Sequence, residues 1–174
     1  MENLHMMGLS IKDIDIIIVT HNHIDHNGDL AIIDDLASQL NKKNISLYMD
    51  KKTEKEFSGR LVNFSEENRH GLDLTLTPNM EFSIGDKKDI LIKIITTKHI
   101  LDEKKQSVLN ATYAVKISLK ESGITKVVIG FTSDTIYLDE LSEAFKDCDY
   151  IIANISETSK EDYVKKVPKE KHLG

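Results

Sequence analysis

Residues 18–30 read Ile-Val-Thr-His-Asn-His-Ile-Asp-His-Asn-Gly-Asp-Leu, an apolar run that ends abruptly in His21, His23, Asp25 and His26. The run before these ligand types, Asp15 to Thr20, is short and rich in Ile and Val, which marks a buried strand rather than a surface helix. The cluster therefore falls on the turn after a strand, the end at which α/β folds bind their ligands. Side chains two apart on an extended or tightly turning segment point to one side. His21 and His23 can thus reach one ion while Asp25 and His26 swing towards a second position. Neutral imidazole and carboxylate are the donors that a borderline divalent cation such as Zn²⁺ prefers. The bland alternative is a polar loop that holds three His by chance, and with only seven His in the whole chain a cluster at a strand end argues against it.

This His-x-His-x-Asp-His pattern resembles the first motif of the metallo-β-lactamase superfamily, whose other ligands are a His, an Asp and a last His. His99 follows the apolar strand Ile90–Ile95, and Asp134 follows Val127–Phe131 in Gly-Phe-Thr-Ser-Asp-Thr. His172 lies in Lys-His-Leu-Gly, similar to the family's final motif. The resemblance runs from Ile11 onward. It implies an α/β chain with the αββα sandwich of that family, one domain over residues 1–174. The family opens with strands that have no counterpart before Asp15, and it continues beyond the last His, so the resemblance implies a domain incomplete at both ends. It also implies a dinuclear centre of two Zn²⁺ per chain, with Mn²⁺ or Fe²⁺ compatible with the same donors. His21, His23 and His99 would hold one metal, Asp25, His26 and His172 the other, and Asp134 would bridge them. Two ions about 3.5–4 Å apart hold a hydroxide that is a strong nucleophile near neutral pH. Asp25 would double as the base that accepts the proton of the attacking water.

The resemblance therefore points to a metal-dependent hydrolase. Asp134 stands at the bridging position where a cysteine or serine would suggest an antibiotic-degrading β-lactamase. The wider family includes glyoxalase II-like thioesterases, lactonases, and phosphodiesterases such as the tRNA 3′-processing ribonucleases. Ser133-Asp134-Thr135 and the run Cys148 to Glu157 look most like the phosphodiesterase branch. The acidic residue that branch carries falls nearer Asn154 than Glu157, so neither takes its role on sequence grounds. A thioesterase or lactonase is the alternative within the family. A non-catalytic scaffold of the same fold is the alternative outside enzymology, and the presence of a ligand in every motif argues against it. Purely structural zinc disfavours itself, because such sites are usually closed and Cys-rich, whereas Cys148 is the only cysteine.

The 174 residues, 40% hydrophobic, suffice for one ordinary core. A formal net charge of -6 gives no support to a non-specific hold on nucleic acid. The Lys-rich segment 160–171 offers local positive charge that could meet phosphates or simply be a solvated face. The expected partner is a small-molecule or phosphodiester substrate, with a homodimer left open. No run of about 18 apolar residues suggests a membrane span, and the N-terminus lacks a signal peptide's features. A cytoplasmic location is the default, and it suits a lone cysteine, Cys148, expected as a small half-buried thiol.

Along the chain, Ser10 is expected to cap a short turn before the first strand. Asp29 is a plausible cap for a helix over 29–41, in which Leu30, Ile32, Ile33, Leu36, Ala37 and Leu40 recur at helical spacing. Strands are expected at Ile45–Met49, Leu72–Thr77, Glu81–Ile84 and Asp89–Thr97, with a short helix at Lys51–Phe57. His70 lies without a ligand-like setting. Leu101–Leu109 is polar. Ala111–Leu119 and Lys126–Phe131 read as a hairpin turning at Glu121-Ser122-Gly123, followed by an amphipathic helix over 136–146 and a buried strand at Tyr150–Ile155.

Overall fold

A computed structural model describes residues 2–57, 59–73, 79–85, 89–97, 112–135 and 138–154. Two compact units make up the chain, Met1–Asp73 and Leu74–Gly174. Among the described residues no helix is long and apolar enough to cross a membrane.

The first unit contains α1 (Glu2–Met6), a 3-10 turn (Ile11–Asp13), β1 (Ile16–Ile18), α2 (Ile24–Asn27), α3 (Leu30–Gln39), β2 (Ser46–Asp50), α4 (Lys51–Phe57), a second 3-10 turn (Glu66–Asn68) and β3 (Arg69–Leu72). Its sheet is parallel, in the order β1-β2-β3. Ser10 caps the first turn as expected. The Asp13 carboxylate accepts the Ser10 N–H at 2.8 Å, Ser10 Oγ accepts from Lys12 N–H at 3.2 Å, and the Ser10 hydrogen bonds lower the Asp13 pKa.

Leu47 and Met49 point to one face of β2 and are buried, where they join Val19, Leu30, Ala37 and Phe57 in one core. Ile33 and Leu36 of α3 pack on that core, but Ile32 and Leu40 are 51% and 41% exposed. At 100° per residue Ile32 lies on the far side of the helix from Leu30, so its apolar character does not mark the buried stripe. Asp29 occupies the N-cap position with no side-chain cap hydrogen bond. α3 stops at Asn41, in the left-handed conformation with φ 55°, where Lys42 N–H reaches Ala37 O at 2.8 Å. That is the 6→1 closure of a Schellman end.

A strand not expected from the sequence, β3, runs over Arg69–Leu72, while residues 74–78, most of the strand expected at Leu72–Thr77, lie outside the described ones. Arg69, His70 and Gly71 have little intrinsic strand character, and parallel pairing with β2 supplies the reason they extend. His70 stands opposite Tyr48 and its ring stacks on the phenol at a centroid distance of 4.5 Å. Burial raises the Tyr48 pKa.

The second unit holds β4 (Glu81–Ile84), β5 (Ile90–Thr97), β6 (Thr112–Glu121), β7 (Ile124–Phe131), α5 (Asp139–Phe145) and β8 (Tyr150–Ile152). The sheet order is β4-β5-β6-β7-β8, antiparallel up to β7 and parallel from β7 to β8. The β6–β7 hairpin turns on Ser122 and Gly123, with φ 52° and 81°. Positive φ at both positions is what a two-residue loop needs to match the strand twist.

Leu141 and Phe145 of α5 pack with Ile95 and Ala114 as a second core, with Leu138 against it. A Cβ added to Gly130 would lie 3.2 Å from both Cys148 Sγ and the Phe145 ring. Gly130→Ala is accordingly expected to destabilise the protein by about 1–2 kcal/mol through overpacking. Urea denaturation checks this, and an unchanged midpoint would show that α5 gives way freely.

One expectation fails at β8. Tyr150, Ile151 and Ile152 are 65%, 54% and 58% exposed, not buried. Among the described residues the strand is last in its sheet, with β7 as its one neighbour. β-branched and aromatic residues favour extended pairing whether or not anything covers them.

Candidate metal centre

β1 ends at Ile18, and Val19 and Thr20 carry the chain, both buried, to His21. His21 is only 1% exposed. His23 follows as the N-cap residue of α2, in an extended conformation, so the two imidazoles fall on the same side as the spacing requires. His21 Nε2 and His23 Nδ1 are 3.1 Å apart. Two nitrogens bound tetrahedrally to one Zn²⁺ at 2.0–2.1 Å would be roughly 3.3 Å apart, so this pair needs only a small adjustment to share an ion.

Thr20 Oγ1 lies 3.3 Å from His21 Nδ1. A tautomer with the proton on Nδ1 donates it to Thr20 and leaves the Nε2 lone pair facing His23. Metal-bound His residues usually use their second nitrogen in this way.

α2 then carries Asp25 and His26, whose carboxylate and Nε2 are 3.5 Å apart. The Asp25 side chain is 70% exposed and that of His26 17%. The carboxylate is therefore open to water while the imidazole is sheltered. The division into two separate pairs is less clean than the spacing suggests. The His26 ring packs on His21 at a centroid distance of 4.2 Å, about as close as His23 packs on His21 at 4.6 Å. A short helix, rather than a continued extended turn, brings His26 back over the first imidazole. Beside it opens a cleft of about 420 Å³ lined by Ile17, Ile24, Asp25, His26 and Ile33 among others.

Two features that the sequence reading missed hold this loop in shape. Asn27 is buried and donates to Asn22 Oδ1 at 2.7 Å, and the Asn22 amide in turn donates to the Glu56 carboxylate on α4. Asn22 is a spacer inside the motif and Asn27 follows directly on it. Gly28 closes α2 with its N–H on Ile24 O at 2.7 Å, and a Cβ there would lie 2.5 Å from that same oxygen. Only glycine fits this close approach without moving Asp25 and His26.

In the second unit, Asp134 lies beyond β7 in a run, Thr132 to Thr135, that is buried throughout although every residue is polar. Asp134 itself is 1% exposed. Ser133 before it has φ 55°, a left-handed backbone uncommon for a non-glycine residue. Strain of this kind concentrates at functional sites. Asn154 donates through Nδ2 to Asp134 Oδ1 at 2.6 Å. On sequence grounds neither Asn154 nor Glu157 takes the role of the acidic residue of the phosphodiesterase branch. Asn154 touches the carboxylate, and Glu157 lies outside the described residues, as do His99, His172, Leu101–Leu109 and the Lys-rich segment 160–171. Cys148 is half-buried, and burial pushes its thiol pKa up, which fits packing rather than nucleophilic chemistry.

The donors present, imidazole and carboxylate with two imidazole nitrogens already converging, fit a divalent metal ion. Known folds and families agree. The metallo-beta-lactamase fold protein YhfI from Bacillus subtilis matches with a TM-score of 0.68 at 17% identity, over 99% of this chain and 61% of that one. The human tRNase Z short form matches with 0.63 at 16% identity, over 99% and 68%. Zn²⁺-bound PqqB from Methylobacterium extorquens matches with 0.63 at 11% identity, over 90% and 51%. The chain thus spans 61% and 51% of the length of the YhfI and PqqB chains. No curated protein sequence matches it. A family model described as a beta-lactamase superfamily domain matches residues 3–174, and with these neighbours it shows that the chain belongs to the metallo-β-lactamase superfamily and has that fold.

Proposed function

We propose that the protein is a dinuclear, zinc-dependent hydrolase that cleaves phosphodiesters and works in the cytoplasm. The observation that carries the metal reading is the approach of His21 Nε2 and His23 Nδ1 to 3.1 Å beside the packed His26 ring. His21, His23, Asp25 and His26 would hold metal from the first motif. His99, Asp134 and His172 are assigned to the centre by their place in the family's ligand order. Bound divalent ions would supply Lewis acidity and lower the pKa of a water at the site.

The chain's own residues set the rest. His21, sheltered and hydrogen-bonded to Thr20, is held in one orientation. Asp25, exposed next to His26, would accept a proton from an attacking water and pass it to solvent. A phosphodiester is favoured by the Ser133-Asp134-Thr135 motif, and it is a reading that the likeness to a tRNase Z supports at the level of fold. A thioester or lactone is the alternative substrate.

The test is elemental analysis of protein purified without chelator, combined with hydrolysis of bis-p-nitrophenyl phosphate and of a thioester. Near two zinc ions per chain with phosphodiester cleavage is the expected result. Metal with thioester cleavage alone would move the protein to the alternative branch. Neither metal nor activity would sink the enzyme reading and leave a scaffold.

A further inference from the structure

We infer that Asn154 is a positioning residue that aims the Asp134 carboxylate at the metal, an inference that rests on the metal-dependent reading above. β8 runs parallel to β7, and the ladder continues past both strands. Thr132 N–H donates to Ile152 O at 3.0 Å, and Asn154 N–H donates to Thr132 Oγ1 at 3.2 Å. These bonds fix the backbone of Asn154 beside the Asp134 loop. Its side-chain amide then donates to Asp134 Oδ1 at 2.6 Å.

A carboxylate turns easily about its last torsion, and a donor on one oxygen removes that freedom. The chemical type of the donor matters as much as its position. Burying Asp134 to 1% exposure demands hydrogen-bond partners. A lysine or arginine would meet that demand by cancelling the charge and would compete with a cation. The neutral amide of Asn154 meets it while leaving the negative charge for the metal. A carboxylate can only accept, so the amide nitrogen must be the group facing it. The left-handed Ser133 and the Asn154 amide thus act on one side chain from its two ends.

The test is zinc affinity by chelator competition, and the absorption spectrum of the cobalt-substituted protein, for wild type, Asn154→Ala and Asn154→Asp. Asn154→Asp keeps the size of the side chain but, when ionised, cannot donate and adds a charge, whereas Asn154→Ala removes the N–H without adding one, so a loss shared by both variants traces to the missing N–H. Circular dichroism of the metal-free proteins checks that each is folded. Both variants are expected to bind zinc about 10–100-fold more weakly, as loss of a hydrogen bond to a ligand typically does, with an altered cobalt spectrum. A merely structural role would change neither reading in folded protein. Wild-type affinity and spectrum in either variant would overturn the inference while leaving the metal-dependent reading intact. Absence of zinc binding by the wild type would overturn both.

Discussion

Asp134→Ala is expected to retain at most half of the wild-type metal and to lose hydrolysis by about a thousandfold or more, several kcal/mol of barrier at about 1.4 kcal/mol per tenfold. The side chain is buried in a run of polar residues, and its carboxylate holds the Asn154 amide. The stabilisation that zinc gives by binding the folded state is expected to shrink. Thermal melts with and without zinc, together with metal content, check both halves. A variant that keeps its full metal complement would remove Asp134 from the centre. A variant that melts much lower without metal would make Asp134 a structural residue.

The second large effect lies away from the metal, at Asp34 in α3. This carboxylate is 2% exposed. It accepts Phe64 N–H at 2.7 Å, Asn63 N–H at 3.1 Å and the Asn63 side-chain amide at 3.1 Å. It therefore pins the segment that seats Leu61 and Phe64 in the first core. Asp34→Ala leaves the buried Phe64 N–H without its acceptor, at roughly 1–3 kcal/mol, while the donors of the exposed Asn63 can turn to water at a smaller cost. A loss of about 2–3 kcal/mol is expected. That is a large share of the roughly 5–15 kcal/mol a native protein has in hand. Asp34→Asn keeps one acceptor oxygen and should lose about half as much. Urea unfolding of the two variants decides it, and a loss below about 1 kcal/mol in Asp34→Ala would mean that water replaces the carboxylate.

Legibility from the sequence followed how local each determinant is. Lys51–Phe57 as a helix and Glu81–Ile84 as a strand have the expected bounds, and the β6–β7 turn falls on Ser122-Gly123. In each case the periodicity or the turn chemistry resides in the residues themselves. β3 was missed because His70 extends through pairing with β2, an interaction with residues more than twenty positions away. β8 was misjudged because its Tyr and Ile report a preference for extended backbone, while exposure depends on its place at the sheet edge.

The same division holds at the candidate site. His21, His23, Asp25 and His26 declared themselves by residue type and spacing at a strand end, as did the family to which the chain belongs. Two-residue spacing also sufficed to put His21 and His23 on one side. Which groups hold the ligands was decided only in three dimensions. Glu56 reaches Asn22 from another helix, Thr20 turns to the His21 ring, and Asn154 meets Asp134 because β8 happens to run beside β7. Ligand identity is chemistry carried by a side chain, and a motif can spell it. Ligand orientation depends on hydrogen bonds between segments far apart in the chain, and the amide of an asparagine looks the same in the sequence whether it meets water or a buried carboxylate.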